Sequence, residues 1–118
     1  MYKSFEELDV WKRACKLAVE IISVLRNCKE FEIKNQMTKA AISIPSNIAE
    51  GAERNSKKEF IQFLHIAKGS AAELRTQIYI AEKTNILTAK TTRPLINETK
   101  EISSMLQGLI TSQKNLKT

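Results

Sequence analysis

Apolar residues recur along this chain in steps of three and four. Trp11, Ala14, Ala18, Ile21 and Leu25 follow one another at that spacing, the period of one face of an α-helix. Val10, Leu17 and Val24 widen the arc on one side, and Leu8, Cys15 and Ile22 widen it on the other. At about 100° per residue the arc covers roughly 200°, about twice what a helix packed on one side of a monomer needs. Asp9, Lys12, Arg13, Lys16 and Glu20 fill the polar remainder. Ser4-Phe5-Glu6-Glu7 has the spacing of a capping box, which predicts a helix over 5–28. Asn27 to Glu30 break the pattern.

A second periodic run passes through Met37, Ala40, Ala41, Ile44 and Ile48 and predicts a helix over 31–53. Pro45 falls inside it. Proline withholds one backbone donor and crowds the preceding turn, so a kink is expected there. Ser56-Lys57-Lys58-Glu59 is a second capping box. Behind it Phe60, Leu64, Ala67, Ala71, Leu74, Ile78 and Ala81 keep a heptad seam through a helix over 57–84. A second stripe runs beside that seam: Phe63, Ile66, Ser70, Glu73, Gln77 and Ile80, apolar at its ends and polar in its middle. Asn85 suits a left-handed helix stop. Thr88 is the next N-cap, and Leu95, Thr99, Ile102, Leu106 and Leu109 carry a last helix over 89–113, which Pro94 is expected to delay or bend. The tail from Gln113 to Thr118 is polar and expected to fray. Four amphipathic segments with short connections give an all-α fold: a single domain over 1–118, built as an antiparallel up-down-up-down four-helix bundle.

Composition agrees with this and narrows little else. The chain has 118 residues, 42% hydrophobic and 27% charged, which is the balance of an ordinary globular domain. It has no run of eighteen apolar residues, so no membrane partner is expected. The N-terminus, from Met1-Tyr2-Lys3 onward, lacks a signal-peptide core, and the expected location is the cytoplasm. Cys15 and Cys28, on one helix, would stand about 20 Å apart, too far for a disulfide; both read as reduced packing residues. The net charge is +6, which favours polyanions as partners.

The residues that carry catalysis are nearly absent. The single histidine, His65, sits off the heptad seam and reads as a surface residue. No phosphate-binding glycine loop is present, and no HExxH, CxxC or Glu-x-x-His set. Ser43, Ser46 and Ser70 have no His/Asp set to activate them. No catalytic residue, metal site or cofactor is expected. The informative stretch is the small-residue run around Pro45. Its small side chains let neighbouring backbones approach. Ser43, Ser46 or Asn47 can satisfy backbone groups freed by Pro45. Asn47 and Glu50 need partners if buried, and Glu73, Thr76 and Gln77 on the third helix are the expected ones.

The same stretch carries a resemblance. Ser43-Ile44-Pro45-Ser46-Asn47-Ile48-Ala49-Glu50-Gly51, with Arg54 and Ser56 behind it, resembles the signature of the four-helix-bundle proteins encoded by intervening sequences of bacterial 23S rRNA genes, the S23 ribosomal proteins. Phe5, Leu8, Val10, Trp11, Gln36, Glu59-Phe60, Phe63-Leu64, Gly69-Ser70, Glu73-Leu74, Thr76-Gln77, Met105-Leu106 and Leu109-Ile110 extend it over nearly the whole chain. The resemblance implies a ring-like homopentamer. It also implies a relation to basic accessory proteins of retroelement reverse transcriptases, which bind nucleic acid. The chain departs from the pattern at Thr38-Lys39, where two basic residues are usual, at Arg75, where an acid is usual, and at Pro94.

The reading that follows is a non-enzymatic homo-oligomer, pentameric by resemblance, associated with RNA or DNA through a basic surface. Lys12, Arg13, Lys16, Lys39, Arg54, Lys57 and Lys58 are its candidate nucleic-acid contacts. Five copies would carry a charge of roughly +30. With no aromatic platform among the basic residues, binding is expected to follow the phosphate backbone. Asn47, Glu50, Phe63, Ile66, Ser70, Glu73 and Gln77 are the candidates for an oligomer interface or a polar network, with the polar members of the second stripe setting the register between copies. The alternative is an interaction module that docks on a protein partner such as a reverse transcriptase.

Overall fold

Residues 4–116 are described here by a computed structural model of the chain. The expectations placed on Met1, Tyr2 and Lys3, and on Lys117 and Thr118, lie outside them. Ser4 does act as a cap, but of a three-residue 3-10 turn, Phe5–Glu7, where its side chain accepts from the Glu6 N–H. Leu8 then turns extended, so the first α-helix, α1, begins only at Asp9 and runs to Val24. Phe5 meets the Trp11 ring edge-on, with centroids 5.3 Å apart, which ties the turn to the helix. At the other end Leu25 stays fully buried although the helix has stopped. The Arg26 N–H bonds the Ser23 carbonyl and the Cys28 N–H bonds the Leu25 carbonyl, a tightened final turn. The expected helix over 5–28 is thus shorter at both ends, and Cys28 lies beyond α1. Both cysteines are half-buried and free.

The next helix, α2, runs from Phe31 to Ala52 without interruption at Pro45, which is itself buried. Helix α3 runs from Lys57 to Lys83, and Ser56 caps it by accepting from the Glu59 N–H at 3.0 Å. Its C-terminus closes on Asn85 at φ 63°. The Ile86 N–H bonds the Ala81 carbonyl and the Asn85 N–H bonds the Glu82 carbonyl, a Schellman closure with asparagine in the left-handed position. Helix α4 runs from Ala89 to Lys114 under a Thr88 cap. Pro94 therefore does not delay it: the cap and five residues of helix precede the proline.

Contacts across the helices fix their directions. Ser43 of α2 bonds Ser70 of α3, and Arg54 just past α2 approaches Glu59 near the start of α3. Glu82, Lys68 and Lys57 of α3 bond Thr92, Gln107 and Leu116 in that order. Each pair therefore runs antiparallel. The α1–α2 and α3–α4 connections line one cavity, so both lie at the same end of a molecule measuring 50 × 19 × 19 Å. The chain goes up, down, up and down. Helix α2 packs on α1 and α3, and α4 packs on α3 and α1; α1 and α3 occupy one diagonal, α2 and α4 the other. Every member of the α3 heptad seam is buried, as are Met37, Ala40, Ala41, Ile44 and Ile48 of α2. On α4 the buried line is Leu95, Thr99, Ile102, Leu106 and Ile110, with Leu109 only partly buried.

Candidate functional site

Two stripes, one on α2 and one on α3, meet along an outer flank of the bundle. Their approach is close because Gly51 has no β-carbon: one placed there would stand 2.5 Å from Cβ of Phe63. The flank is chained by hydrogen bonds. Ser43 and Ser70 share one of 2.9 Å between their hydroxyls. Asn47 donates from Nδ2 to both the carbonyl and the hydroxyl of Ser43, each at 2.8 Å. Glu50 pairs with Arg54 at 2.8 Å, and Arg54 also stands over the Phe63 ring, 4.9 Å from its centroid. Asn47 and Glu50 thus find their partners on or next to their own helix. Glu73, Thr76 and Gln77, expected as those partners, do not serve: Thr76 turns its hydroxyl to the Ala72 carbonyl and Glu73 is exposed. Gln77 is 8% exposed and its Oε1 is buried with no donor. An orphaned amide oxygen of this kind costs about 1–3 kcal/mol. Ile66 and Ile80 stand on the same stripe, 44% and 47% exposed.

A second apolar surface lies along the α1/α2 edge. Arg13 faces α4, where it holds Glu98 through Nε at 2.9 Å and Nη2 at 2.7 Å. The stripe Leu8, Lys12, Cys15, Val19, Ile22 and Arg26 runs along the side of α1 that faces away from α4. It borders a stripe of α2 that carries Phe31, Lys34, Thr38 and Ile42. Val19 and Phe31 are 66% and 67% exposed, and Ile22 and Ile42 are exposed as well. Burial raises the pKa of the Cys15 thiol within this stripe.

The seven candidate nucleic-acid residues are not gathered into one patch. Arg13 is committed to Glu98, with Glu101 3.8 Å away; its pKa is raised, chiefly by the hydrogen bond to Glu98. Arg54 is paired with Glu50 and Glu59. Lys57 donates to the Leu116 carbonyl at 2.7 Å and so tethers the end of α4. Lys12 and Lys16 are exposed on α1, Lys39 on α2 and Lys58 on α3, so these four are spread over three helices, two of them on a diagonal.

Positive charge gathers instead at the end formed by the α1–α2 and α3–α4 connections. Residues 24–34 and 82–93 carry Arg26, Lys29, Lys34, Lys83, Lys90 and Arg93 against Glu30, Glu32 and Glu82. Val24, Asn27, Cys28, Lys29 and Glu30 face Thr84 to Leu87 across an open cavity of about 370 Å³ there. Among the described residues, the opposite end carries Glu6, Glu7, Asp9, Glu50, Glu53 and Glu59 against Arg54, Lys57, Lys58 and Lys114, a small excess of carboxylates. Sequence reasoning missed the basic end because its cations belong to two connections about sixty residues apart, which only the topology brings together.

His65 is exposed on α3, beside a shallow depression lined by Lys58, Ile61, Gln62 and Ile66. Among the described residues no three of His, Cys, Asp and Glu are grouped to hold a metal ion. No described helix is long and apolar enough to cross a membrane.

Residues 6–108 match the sequence model of a family described as 23S rRNA-intervening sequence protein. Among solved structures, the chain is similar to a crystal structure of a protein of unknown function from the S23 ribosomal protein family of Bacteroides thetaiotaomicron VPI-5482. The two are 27% identical, with a TM-score of 0.81 over 86% of this chain and 97% of the other. No curated protein matches the chain.

Proposed function

This chain belongs to the 23S rRNA-intervening sequence protein family, and from that premise we propose that it is a non-enzymatic building block that self-associates and meets nucleic acid through its basic surface. The observation that carries the reading is the surplus of apolar surface. A four-helix bundle standing alone needs one buried stripe per helix. Here Val19, Ile22, Phe31, Ile42, Ile66 and Ile80 remain outside a core that is already closed. They fall on two faces of the bundle rather than scattering singly, and soluble monomers seldom leave such patches in water. A ring is the assembly that the resemblance implies, with five copies.

The basic end supports the second half of the reading. Arg26, Lys29, Lys83 and Lys90 are exposed around one concave surface, a shape and sign that suit a phosphate backbone. Five parallel copies would repeat it around one rim. Static light scattering at micromolar concentration tests the assembly directly. The expected mass is a multiple of 13.4 kDa, five-fold for the pentamer; a stable species of one chain would sink the proposal.

A further inference from the structure

We infer that the α2/α3 flank of one copy seats on the α1/α2 edge of the next, so that self-association joins two different faces of the same chain. The inference rests on the self-association reading and goes on to name its surfaces.

The first support is charge. On the flank, Glu32, Lys39, Ser43, Glu50 and Arg54 follow one another along α2 at steps of seven and four. Glu59 and Glu73 stand on the stripe of α3 that meets them. Four carboxylates therefore face two cations, in a chain whose net charge is +6. Arg54 is already held by Glu50 and Glu59, which leaves Glu73 exposed without an ion pair on the stripe. The α1/α2 edge has the opposite sign. From Leu8 to Arg26 on the α1 side and from Phe31 to Ile42 on α2, its two stripes carry Lys12, Arg26 and Lys34 and no carboxylate; Glu53 joins only at the far end of α2. Either face laid on a copy of itself would set like charges against each other, whereas one laid on the other sets acid against base.

The second support is the apolar content. Both faces present large exposed hydrophobics, Ile66 and Ile80 on one and Val19, Phe31 and Ile42 on the other. Each face also runs along the helix axes, so two copies can lie side by side. Gln77 lies between Glu73 and Ile80 on the flank stripe, with an oxygen that lacks a donor.

The third support is the angle between the faces. Neighbouring sides of a square bundle have normals about 90° apart. A heterologous contact closes into a ring when that angle matches the copy number, at about 90° for four copies and about 108° for five. The two faces share α2, so they are neighbouring sides. Opposite sides would propagate an open filament instead.

The test uses one variant on each face, both at exposed positions so that the bundle still folds: Val19→Glu on the edge and Ile66→Glu on the flank. Circular dichroism should match the native protein for both. Each variant alone should be a single chain by light scattering. Mixed one to one, they should form a species of roughly 27 kDa, two chains of 13.4 kDa, and go no further, because each mixed pair retains one intact contact and has no second. A native mass for either variant, no complex on mixing, or a full-sized assembly on mixing would each overturn the assignment of faces. A native protein that is itself a single chain would overturn the self-association reading, and the assignment with it.

Discussion

At Gly51 a β-carbon would stand 2.5 Å from Cβ of Phe63 and 3.2 Å from Cδ1 of Phe60. Phe63 Cβ is attached to the α3 backbone, so it cannot swing aside as the end of a flexible side chain can. Two effects oppose each other in Gly51→Ala. Alanine is the better helix former by about 1 kcal/mol, and forcing a methyl group into a packed interface costs about 1–3 kcal/mol. The clash should win, lowering stability by about 1 kcal/mol or more. Gly108 is the control. A β-carbon there meets nothing within 4 Å, so Gly108→Ala should gain up to about 1 kcal/mol from propensity alone. Urea denaturation of both variants checks the pair; a raised midpoint for Gly51→Ala would mean that the helices can separate at no cost. Gly51 ends the small-residue run that carries the resemblance, and its close approach to α3 gives that glycine a physical reason.

On the scale of the element, α2 accommodates a proline fourteen residues into a continuous helix. Pro45 lacks the N–H that would bond the Ala41 carbonyl, and an interior proline costs about 3 kcal/mol or more. Its ring is nevertheless buried, so removing it leaves a space that costs part of what the restored hydrogen bond returns. Pro45→Ala should therefore keep both the helical content and the assembly mass, as read by circular dichroism and light scattering. A single-chain product would mean that a bend at Pro45 shapes the contact between copies. The ends of the elements follow local chemistry more closely. Ser56 and Thr88 cap α3 and α4 through their side chains, and Asn85 takes the left-handed turn that a β-branched residue would resist. Ser4 caps as well, but Leu8 turns extended directly after the 3-10 turn. The helix begins one residue later, with Phe5 folded back onto Trp11.

Over the whole molecule the charges sort by position along the 50 Å axis. The end formed by the α1–α2 and α3–α4 connections is basic, whereas the described residues of the other end hold more carboxylates than cations, so a polyanion should approach end-on rather than along α1. Lys29→Glu combined with Lys90→Glu should weaken binding to a single-stranded RNA. It should also make the log-log dependence on salt shallower by about 1 for each phosphate that is no longer neutralised. Lys12→Glu combined with Lys16→Glu gives the contrast. Those residues stand on or beside the basic edge of α1, so their reversal should alter the assembly mass more than the salt slope. An unchanged slope in the first pair together with a shallower slope in the second would return the nucleic-acid surface to α1. If neither pair moves a measurable RNA affinity, the polyanion meets some other face.

The periodic positions of the sequence determined the helices and most of the core. A step of three and four can be satisfied only by a helix whose apolar side is covered, so Leu64, Ala67, Ala71, Leu74 and Ile78 had one place to go. Caps and stops were legible for the same local reason: Ser56, Asn85 and Thr88 act on backbone groups a few residues away. The surplus of apolar arc on α1 and α3 was legible too, because it depends only on how residues are spaced around an axis. Pairing was not. Whether Asn47 meets Gln77 or Ser43 depends on the register of α2 against α3, and that register is set by the close approach at Gly51 and by the Ser43–Ser70 hydrogen bond. Arg13 read as a free cation until the fold brought Glu98 to it from 85 residues away. The basic end is likewise a product of topology. Charges in two distant connections add into one field only when an up-down-up-down path returns the chain to the same end, since screened Coulomb interactions depend on distance in space and not on distance along the sequence.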